Sequence, residues 1–295
     1  MNNEIVTRQN EEKAIEYLAA QRQIYSEAKK LDNIGIIFSV ILPLVLSIMQ
    51  LFFKENIFWS LSSKILSIVS MFVGMAVGSF VKKGKNVAAM IQQMFDVYVY
   101  QMPWDNKLFG KEKNLSYLIA EKSKILLDKA GERDKLMNWY TGCVGEGVSN
   151  IKGIWMCQKE NFNWDVNLRK KYKKSCSIIV GVLIVGILLA GLVNDESIIV
   201  LISRFAFILP MLKWLFPMIK QLNDDIRNMQ EIDELINDSE EKTMDDLQEI
   251  QNKLYVHRKS CYAIPDFFYN RYKDNDEDLA YRTAKLDKLA EEKRD

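Results

Sequence analysis

The chain has 295 residues, 48% of them hydrophobic, and its 40 Lys and Arg against 39 Asp and Glu give a formal net charge of +1. These averages fit two ordinary soluble domains as well as a membrane protein, so they exclude neither class. The cysteines lack a CxxC pair and a histidine cluster, which argues against a zinc site and a disulfide framework. They are Cys143, Cys157, Cys176 and Cys261.

Residues 1–33 are predicted to form an N-terminal cytoplasmic helix. Apolar residues recur at three- and four-residue steps over 4–31, the pattern of one amphipathic helix. Asp32 and Asn33 are suited to cap a new helix, which predicts a bend at the membrane surface. The polar start has no apolar stretch with a cleavage site, so no signal peptide is predicted.

Four apolar runs predict four transmembrane helices, arranged as hairpins over 34–81 and 176–219. At about 1.5 Å per residue, some 20 apolar residues cross a hydrocarbon core of roughly 30 Å. Buried hairpins of a soluble protein are the alternative, but four such runs are hard to hide in so small a core. The runs are Ile34 to Phe53, Ile57 to Val81, Cys176 to Val193 and Ile198 to Ile219.

Cations near the span ends predict that both termini and the segment between the hairpins are cytoplasmic, because Lys and Arg concentrate on that side. The connections on the opposite side are poor in cations. The cations on the cytoplasmic side are Arg22, Lys29, Lys30, Lys82, Lys83, Lys85, Arg169, Lys170, Lys171, Lys173 and Lys174.

The cytoplasmic segments carry opposite charges. The insert, residues 82–175, holds 18 Lys and Arg against 10 Asp and Glu, whereas the tail, residues 220–295, holds 13 against 20. The two segments either dock on each other or leave part of the basic surface free for an anionic ligand.

The insert is predicted to be helical up to Pro103, then over Asn114 to Ala130 and Arg133 to Tyr140. The glycine-dense stretch GCVGEGVSNIKG follows, without the spacing of a Walker loop or a GxGxxG motif. We interpret it as a flexible turn.

The tail is predicted to begin with a helix that continues out of the fourth span and breaks at NDSEE. Its apolar seam fits coiled-coil-like packing, either within the chain, which is the default, or between chains. Thr243 with Asp246 predicts a capping-box start for another helix, with Leu247, Ile250 and Leu254 on one face. The seam comprises Ile219, Leu222, Ile226, Met229, Ile232 and Ile236.

No catalytic constellation is evident. His257 is the single histidine, and its setting in KLYVHRKSC predicts a solvated helix position. Adjacent acids such as Asp224 and Asp225 point about 100° apart on a helix and seldom share a site. The sequence therefore predicts a protein that is not an enzyme and that holds neither a metal nor a cofactor.

Two cations lie within the fourth span. Arg204 either snorkels outward or lines an aqueous path, and Lys213 is expected to snorkel to the cytoplasmic headgroups. Around a ring of subunits, Arg204 would form a positive constriction. In the second span, Ser70, Gly74 and Gly78 form a stripe of small residues suited to close helix packing. A closed four-helix bundle and a pore remain open alternatives.

The stretch CQKENFNWDVNLRKKYKK, residues 157–174, leads into the third span. Its Lys-rich end sets topology, whereas Trp164 lies about 16 Å from the bilayer at helical rise. We therefore interpret this stretch as an element that transmits a signal into the span.

Four stretches together resemble the SMODS-associating four-transmembrane effector family: TRQN, AAQRQIYSEAKK, CQKENFNWDVNLRKKY and IPDFFYNRY. The resemblance fits the fold class that the runs and helical patterns predict, an all-α integral membrane protein with four transmembrane helices and a helical cytoplasmic domain. It implies an antiphage role of the CBASS type, in which a partner nucleotidyltransferase makes a cyclic di- or trinucleotide. That product would activate an effector that opens or disrupts the bacterial inner membrane. We expect the active effector to be a homo-oligomer.

The resemblance supplies no ligand-contact residues, so the candidates rest on chemistry. Arg suits phosphates and aromatic rings stack on bases. A DNA or RNA duplex is not expected as a ligand. A non-conducting membrane anchor or scaffold that recruits a protein partner is the alternative function. The candidates are Arg8, Tyr25, Trp164, Arg169, Tyr269, Arg271 and Tyr272.

Overall fold

The structure is a computed structural model that describes residues 4–52, 57–111, 114–140, 148–160, 165–193, 197–239 and 241–272. Within these ranges the chain forms ten α-helices and one π-helical turn, and no β-strand. The helices are α1 (Ile5–Arg8), α2 (Glu12–Ile36), α3 (Leu42–Phe52), α4 (Ile57–Tyr100), α5 (Asn106–Phe109), α6 (Ser116–Leu127), α7 (Asn150–Glu160), α8 (Asp165–Val193), α9 (Ile198–Asn237) and α10 (Met244–Ser260), and the π turn is Ile37–Ile41.

The apolar runs lie on helices that also carry polar sequence. Helix α2 passes through the π turn directly into α3, and α4 continues from the second apolar run to Tyr100. Helix α8 begins with polar residues and continues into the third run, and α9 begins in the fourth run and continues into polar sequence. The bend predicted at Asp32 and Asn33 is wrong, since α2 remains helical through Ile36 and needs no new cap there.

The polar ends of these helices pack into one helical body with the short helices of the insert and with α10. We call this unit the body; it joins α2, the second half of α4, α6, α7, the start of α8, the polar half of α9 and α10. It has one main apolar core and a smaller cluster between α8, α9 and the segment that follows α10. Among its fully buried residues are Ile15, Leu18, Ile91, Phe95, Ile154 and Leu247.

The seam predicted in the tail is confirmed as a buried face of α9. Leu222 and Ile236 are fully buried, and Met229, Ile232 and Ile236 belong to the core of the body. The capping box at the start of α10 is also confirmed, since Thr243 accepts from the Asp246 backbone and Asp246 caps Thr243 in return. The seam is therefore used within the chain.

The apolar halves of the long helices form the span region, which exposes large hydrophobic side chains. Helices α4 and α8 each contain a stretch long and apolar enough to cross a membrane, and most residues of both stretches are exposed. A contiguous apolar surface on this scale is not expected to face water. Examples of exposed residues are Phe58, Phe72, Val182, Leu192, Ile198 and Phe216.

Close packing joins the first hairpin at the π turn. The Ser70 hydroxyl donates to the Phe38 carbonyl, and a Cβ added at Gly74 would lie 2.9 Å from Ser39 Cβ. At Gly78 an added Cβ would meet no described atom within 4 Å. The two glycines of this stripe therefore differ in how closely another helix approaches them.

The helix predicted over Arg133 to Tyr140 is wrong, because the structure forms turns there. Asn138 has a positive φ of 53°, and its backbone N–H donates to Asn10 Oδ1 at 2.8 Å. The Tyr140 N–H donates to Gln9 Oε1 at 2.9 Å. These two contacts satisfy backbone groups without a helix. They also explain why residues 4–31 are not one helix, since a turn at 9–11 presents both side chains. The glycine-dense stretch over 141–147 lies outside the described residues.

Candidate ligand cleft

A cleft of about 150 Å³, half-open to solvent, lies between α2, α4, α8 and the segment that follows α10. We call this segment, residues 261–272, the strap, and the cavity the strap cleft. Its lining residues are Tyr25, Ala28, Lys29, Lys85, Asp165, Leu168, Arg169, Cys261, Tyr262, Ala263, Ile264 and Tyr269.

Each helix that lines the strap cleft leads directly into a predicted span. At about 1.5 Å per residue, Lys29 lies some 8 Å along α2 from the start of the first run at Ile34. Lys85 follows the second run by about 6 Å, and Arg169 precedes the third by about 10 Å. A displacement of the cleft walls therefore acts on helices that continue into the apolar region.

Two lysines reach the strap from α2 and α4. Lys29 Nζ lies 2.7 Å from Asp266 Oδ1 and 5.4 Å from the centre of the Tyr269 ring. Lys85 donates to the carbonyl of Cys261. In the part of the chain that the structure describes, no carboxylate forms an ion pair with Lys85.

Arg169 forms the base of the cleft, held by two carboxylates. Its Nη1 atom lies 2.7 Å from Asp225 Oδ2 and 3.0 Å from the Tyr262 carbonyl, and its Nε atom lies 2.9 Å from Asp165 Oδ2. Asp225 also accepts from Gln221 Nε2 and from the Tyr262 backbone N–H. Arg169 is therefore engaged with internal partners and ties the strap to α8.

The balance of charge at the bottom of the cleft depends on Asp165. Burial of the carboxyl raises its pKa, but the Arg169 guanidinium and His257 outweigh that effect and lower the pKa to about 2. Asp165 is therefore ionised at neutral pH, and it balances the buried charge of Arg169.

His257 contradicts the predicted solvated position. It is 5% exposed, its Nε2 atom lies 3.6 Å from Asp165 Oδ2, and neither ring nitrogen has a hydrogen-bond partner among the described residues. The local sequence is polar, but α10 turns this position inward against the start of α8.

Three rings give the strap cleft an aromatic character. Tyr25 and Tyr269 both line it, and the ring of Tyr262, a third lining residue, stacks on Tyr172 with the ring centres 6.0 Å apart. Burial raises the pKa of Tyr25, so its phenol is neutral at physiological pH. Aromatic rings beside cations are suited to a nucleotide, because the rings can stack on its nucleobase and the cations can bind its phosphate.

The structure brings together Tyr25, Arg169 and Tyr269, which the sequence predicted on three separate motifs. Tyr272 lies further along the strap, where Lys171 Nζ is 4.8 Å from its ring centre. Arg271 is exposed.

The remaining candidates lie elsewhere. Arg8 is buried at the other end of α4, where its Nε donates to the Val99 carbonyl at 2.8 Å and its Nη1 pairs with Glu4. Trp164 lies outside the described residues. Arg204 and Lys213 lie on α9; Lys213 is exposed, and the side chain of Arg204 is outside what the structure describes.

Sequence reasoning missed Lys29 and Lys85 as cleft residues because it counted them only as topology-setting cations. A usable signal was present, since both lie within about two helical turns of a span end. Tyr25 precedes Lys29 by one turn of the same helix.

The comparisons with known proteins agree with the motifs. The family model described as the SMODS-associating 4TM effector domain matches residues 3–286. A protein of Bacillus cereus (strain VD146), described as a probable CBASS effector molecule, is 24% identical over 175 residues. That match covers 57% of this chain and 56% of the relative, so it spans about half the length of the curated protein. No solved structure matches this chain. Because the family model covers nearly the whole sequence, the predicted resemblance is confirmed, and the chain belongs to the SMODS-associating 4TM effector domain family.

Proposed function

We propose that this protein is a non-enzymatic membrane effector of bacterial antiphage defence of the CBASS type. A cyclic oligonucleotide made by a partner nucleotidyltransferase activates it, and the activated protein opens a pore in or disrupts the inner membrane. The observation that carries the proposal is the continuity of α2, α4 and α8 between the strap cleft and the apolar span region.

The proposed topology has four membrane passes with both termini in the cytoplasm. It is supported by the body, in which α2, the insert and the tail share one apolar core. Segments that pack in one core lie on one side of a membrane, so each hairpin must return to the side from which it started. The positive charge at these span ends supports a cytoplasmic location for that side.

The proposed active form is a homo-oligomer. The seam of α9 is buried within the chain, so contacts between copies would come chiefly from the exposed span region. Interaction between membrane helices relies on close packing and small residues. Arg204 stays a candidate for lining a path along the oligomer axis.

The test is release of a self-quenched dye from liposomes that contain the purified protein. We expect leakage within minutes of adding one member of a panel of cyclic di- and trinucleotides, and none with the corresponding linear nucleotides. Protein-free liposomes with the same ligands are the control. Binding without leakage or current would contradict the pore and favour the alternative, a non-conducting anchor that recruits a protein partner.

A further inference from the structure

We propose that the strap cleft binds one phosphate group between Lys29 and Lys85, and that this group displaces the Asp266 carboxylate from Lys29. The identity of the phosphate as part of a cyclic oligonucleotide rests on the proposed function. The location of the site rests on the geometry alone.

The charges of the cleft favour an incoming anion at the two lysines. Arg169 is already bonded to two carboxylates, so it offers no free edge. Lys85 bonds only to a neutral carbonyl among the described residues, and Lys29 pairs with the half-exposed Asp266. Phosphate oxygens form stronger charge-assisted bonds than a carbonyl provides, so they compete well for both lysines.

The nearby acids do not cancel this attraction. Asp165 is committed to Arg169 at the base of the cleft. Asp32 forms no ion pair with Lys85 among the described residues; burial raises the pKa of its carboxyl, and Lys85 opposes that effect. The carboxylate that a phosphate must replace is therefore Asp266.

The size of the cleft limits what it can enclose. About 150 Å³ is the volume of a cavity that holds one benzene-sized group, whereas pockets for whole small molecules are roughly 300 to 1,000 Å³. A single phosphate group fits at this volume, and the rest of a cyclic oligonucleotide would lie in the open mouth, beside Tyr25 and Tyr269.

Phosphate binding would change how the strap is attached. The strap is tied to α2 by Lys29 and Asp266, to α4 by Lys85 and the Cys261 carbonyl, and to α8 by Arg169 and the Tyr262 carbonyl. A phosphate that takes both lysines breaks the first two ties and leaves the third. The strap would then stay with the second hairpin and release the first.

The experiment measures ligand binding to the full chain in nanodiscs of neutral phosphatidylcholine, using the cyclic di- and trinucleotide panel. Lys29→Met and Lys85→Met should each weaken binding roughly ten- to hundredfold, the loss of one charge-assisted bond. Lys30→Met and Lys82→Met are the matched controls, since both residues are exposed neighbours outside the cleft. Lys85→Arg keeps the charge and should bind within about threefold of the parent protein.

Asp266→Asn should change nucleotide binding in the opposite direction from the lysine variants. Removing the internal competitor of Lys29 should strengthen nucleotide binding by about two- to fivefold, because the pair it breaks is partly exposed. A parallel arm replaces part of the lipid by phosphatidylglycerol and omits the nucleotide. The thermal midpoint of the protein then reports whether a lipid phosphate occupies the same lysines.

Four outcomes are distinguishable. Nucleotide binding lost only in the cleft variants supports both the site and the proposed function. A response to phosphatidylglycerol alone, lost in the same variants, supports the site and overturns cyclic-nucleotide activation. Nucleotide binding that Lys29→Met and Lys85→Met leave unchanged overturns the site while the function stands. No response in either arm overturns both.

Discussion

The body and the span region solve the packing problem in opposite ways. The body buries polar groups and pairs them internally: the buried Asp96 accepts from Tyr140, from Gln251 and from the partly buried Arg258. The span region leaves its largest apolar side chains exposed and brings its helices together at small residues such as Gly74.

The difference indicates which interactions fix the arrangement of the helices in each region. Buried polar groups must be paired, so partners more than 100 residues apart hold the helices of the body in one arrangement. Lipid replaces water around the span region, so close van der Waals contact decides how those helices meet. Changes in the body should therefore act in any solvent, whereas changes in the span region should depend on the surrounding lipid or detergent.

The largest loss of stability is expected when a substitution breaks the internal pairing of the body at Asp225. Asp225→Ala leaves the buried Arg169 guanidinium with one carboxylate and should lower the free energy of unfolding by about 3 to 5 kcal/mol. Asp224→Ala is the control, because Asp224 is 39% exposed and pairs with the exposed Arg227, so a change within about 1 kcal/mol is expected. Urea unfolding in two different detergents measures both, and equal losses would contradict the assigned role of the buried pair.

A second, smaller effect is the acid dependence of the body. Because the folded pKa of Asp165 is about 2, below the ordinary value of 3.8, its carboxylate stabilises the folded state at pH above about 4. That contribution, about 2 kcal/mol, is lost as the pH falls from 4 towards 2. The free-energy difference between the parent protein and Asp165→Asn should therefore be constant from pH 7 to 5. A change of this difference within that range would contradict a folded pKa of about 2 for Asp165.

The smallest effect tests the span region with two neighbouring glycines. Gly74→Ala places a methyl group 2.9 Å from Ser39 Cβ and should cost about 1 kcal/mol, because α4 must move away from the π turn. Gly78→Ala meets no described atom within 4 Å and should be neutral or slightly stabilising, since Ala favours helix. Detergent-driven unfolding in mixed micelles compares the two variants. Identical behaviour would show that this stripe makes no close contact.

The sequence predicted the features that depend on neighbouring residues. The seam of α9, the capping box at Thr243 and the divergence of Asp224 from Asp225 all follow from helical periodicity and local hydrogen bonding. Side-chain chemistry within the motifs that carry the family resemblance placed Tyr25, Arg169 and Tyr269 among the ligand candidates, and the structure brings these three together.

The features that failed depend on distant partners. The burial of His257 requires α8, which lies some 90 residues earlier in the chain. The irregular backbone at 131–140 depends on side chains from Gln9 and Asn10. Asp225 was recognised only as one of two adjacent acids, because its partner Arg169 lies 56 residues away. Composition and periodicity contain no information about such pairings.

The π turn at Ile37–Ile41 sets the angular offset between α2 and α3, which it joins into one continuous helix. An α-helix advances by about 100° per residue, and a π turn adds one residue to the ladder, so everything beyond it is rotated by roughly that angle. The face that α2 presents to the body is thereby uncoupled from the face that α3 presents to α4 and α9. Deleting one residue here would leave the hydrophobicity of the first run almost unchanged but turn its outer half by more than a quarter of a revolution. Insertion into a bilayer and recognition between helices are thus separable properties of this segment.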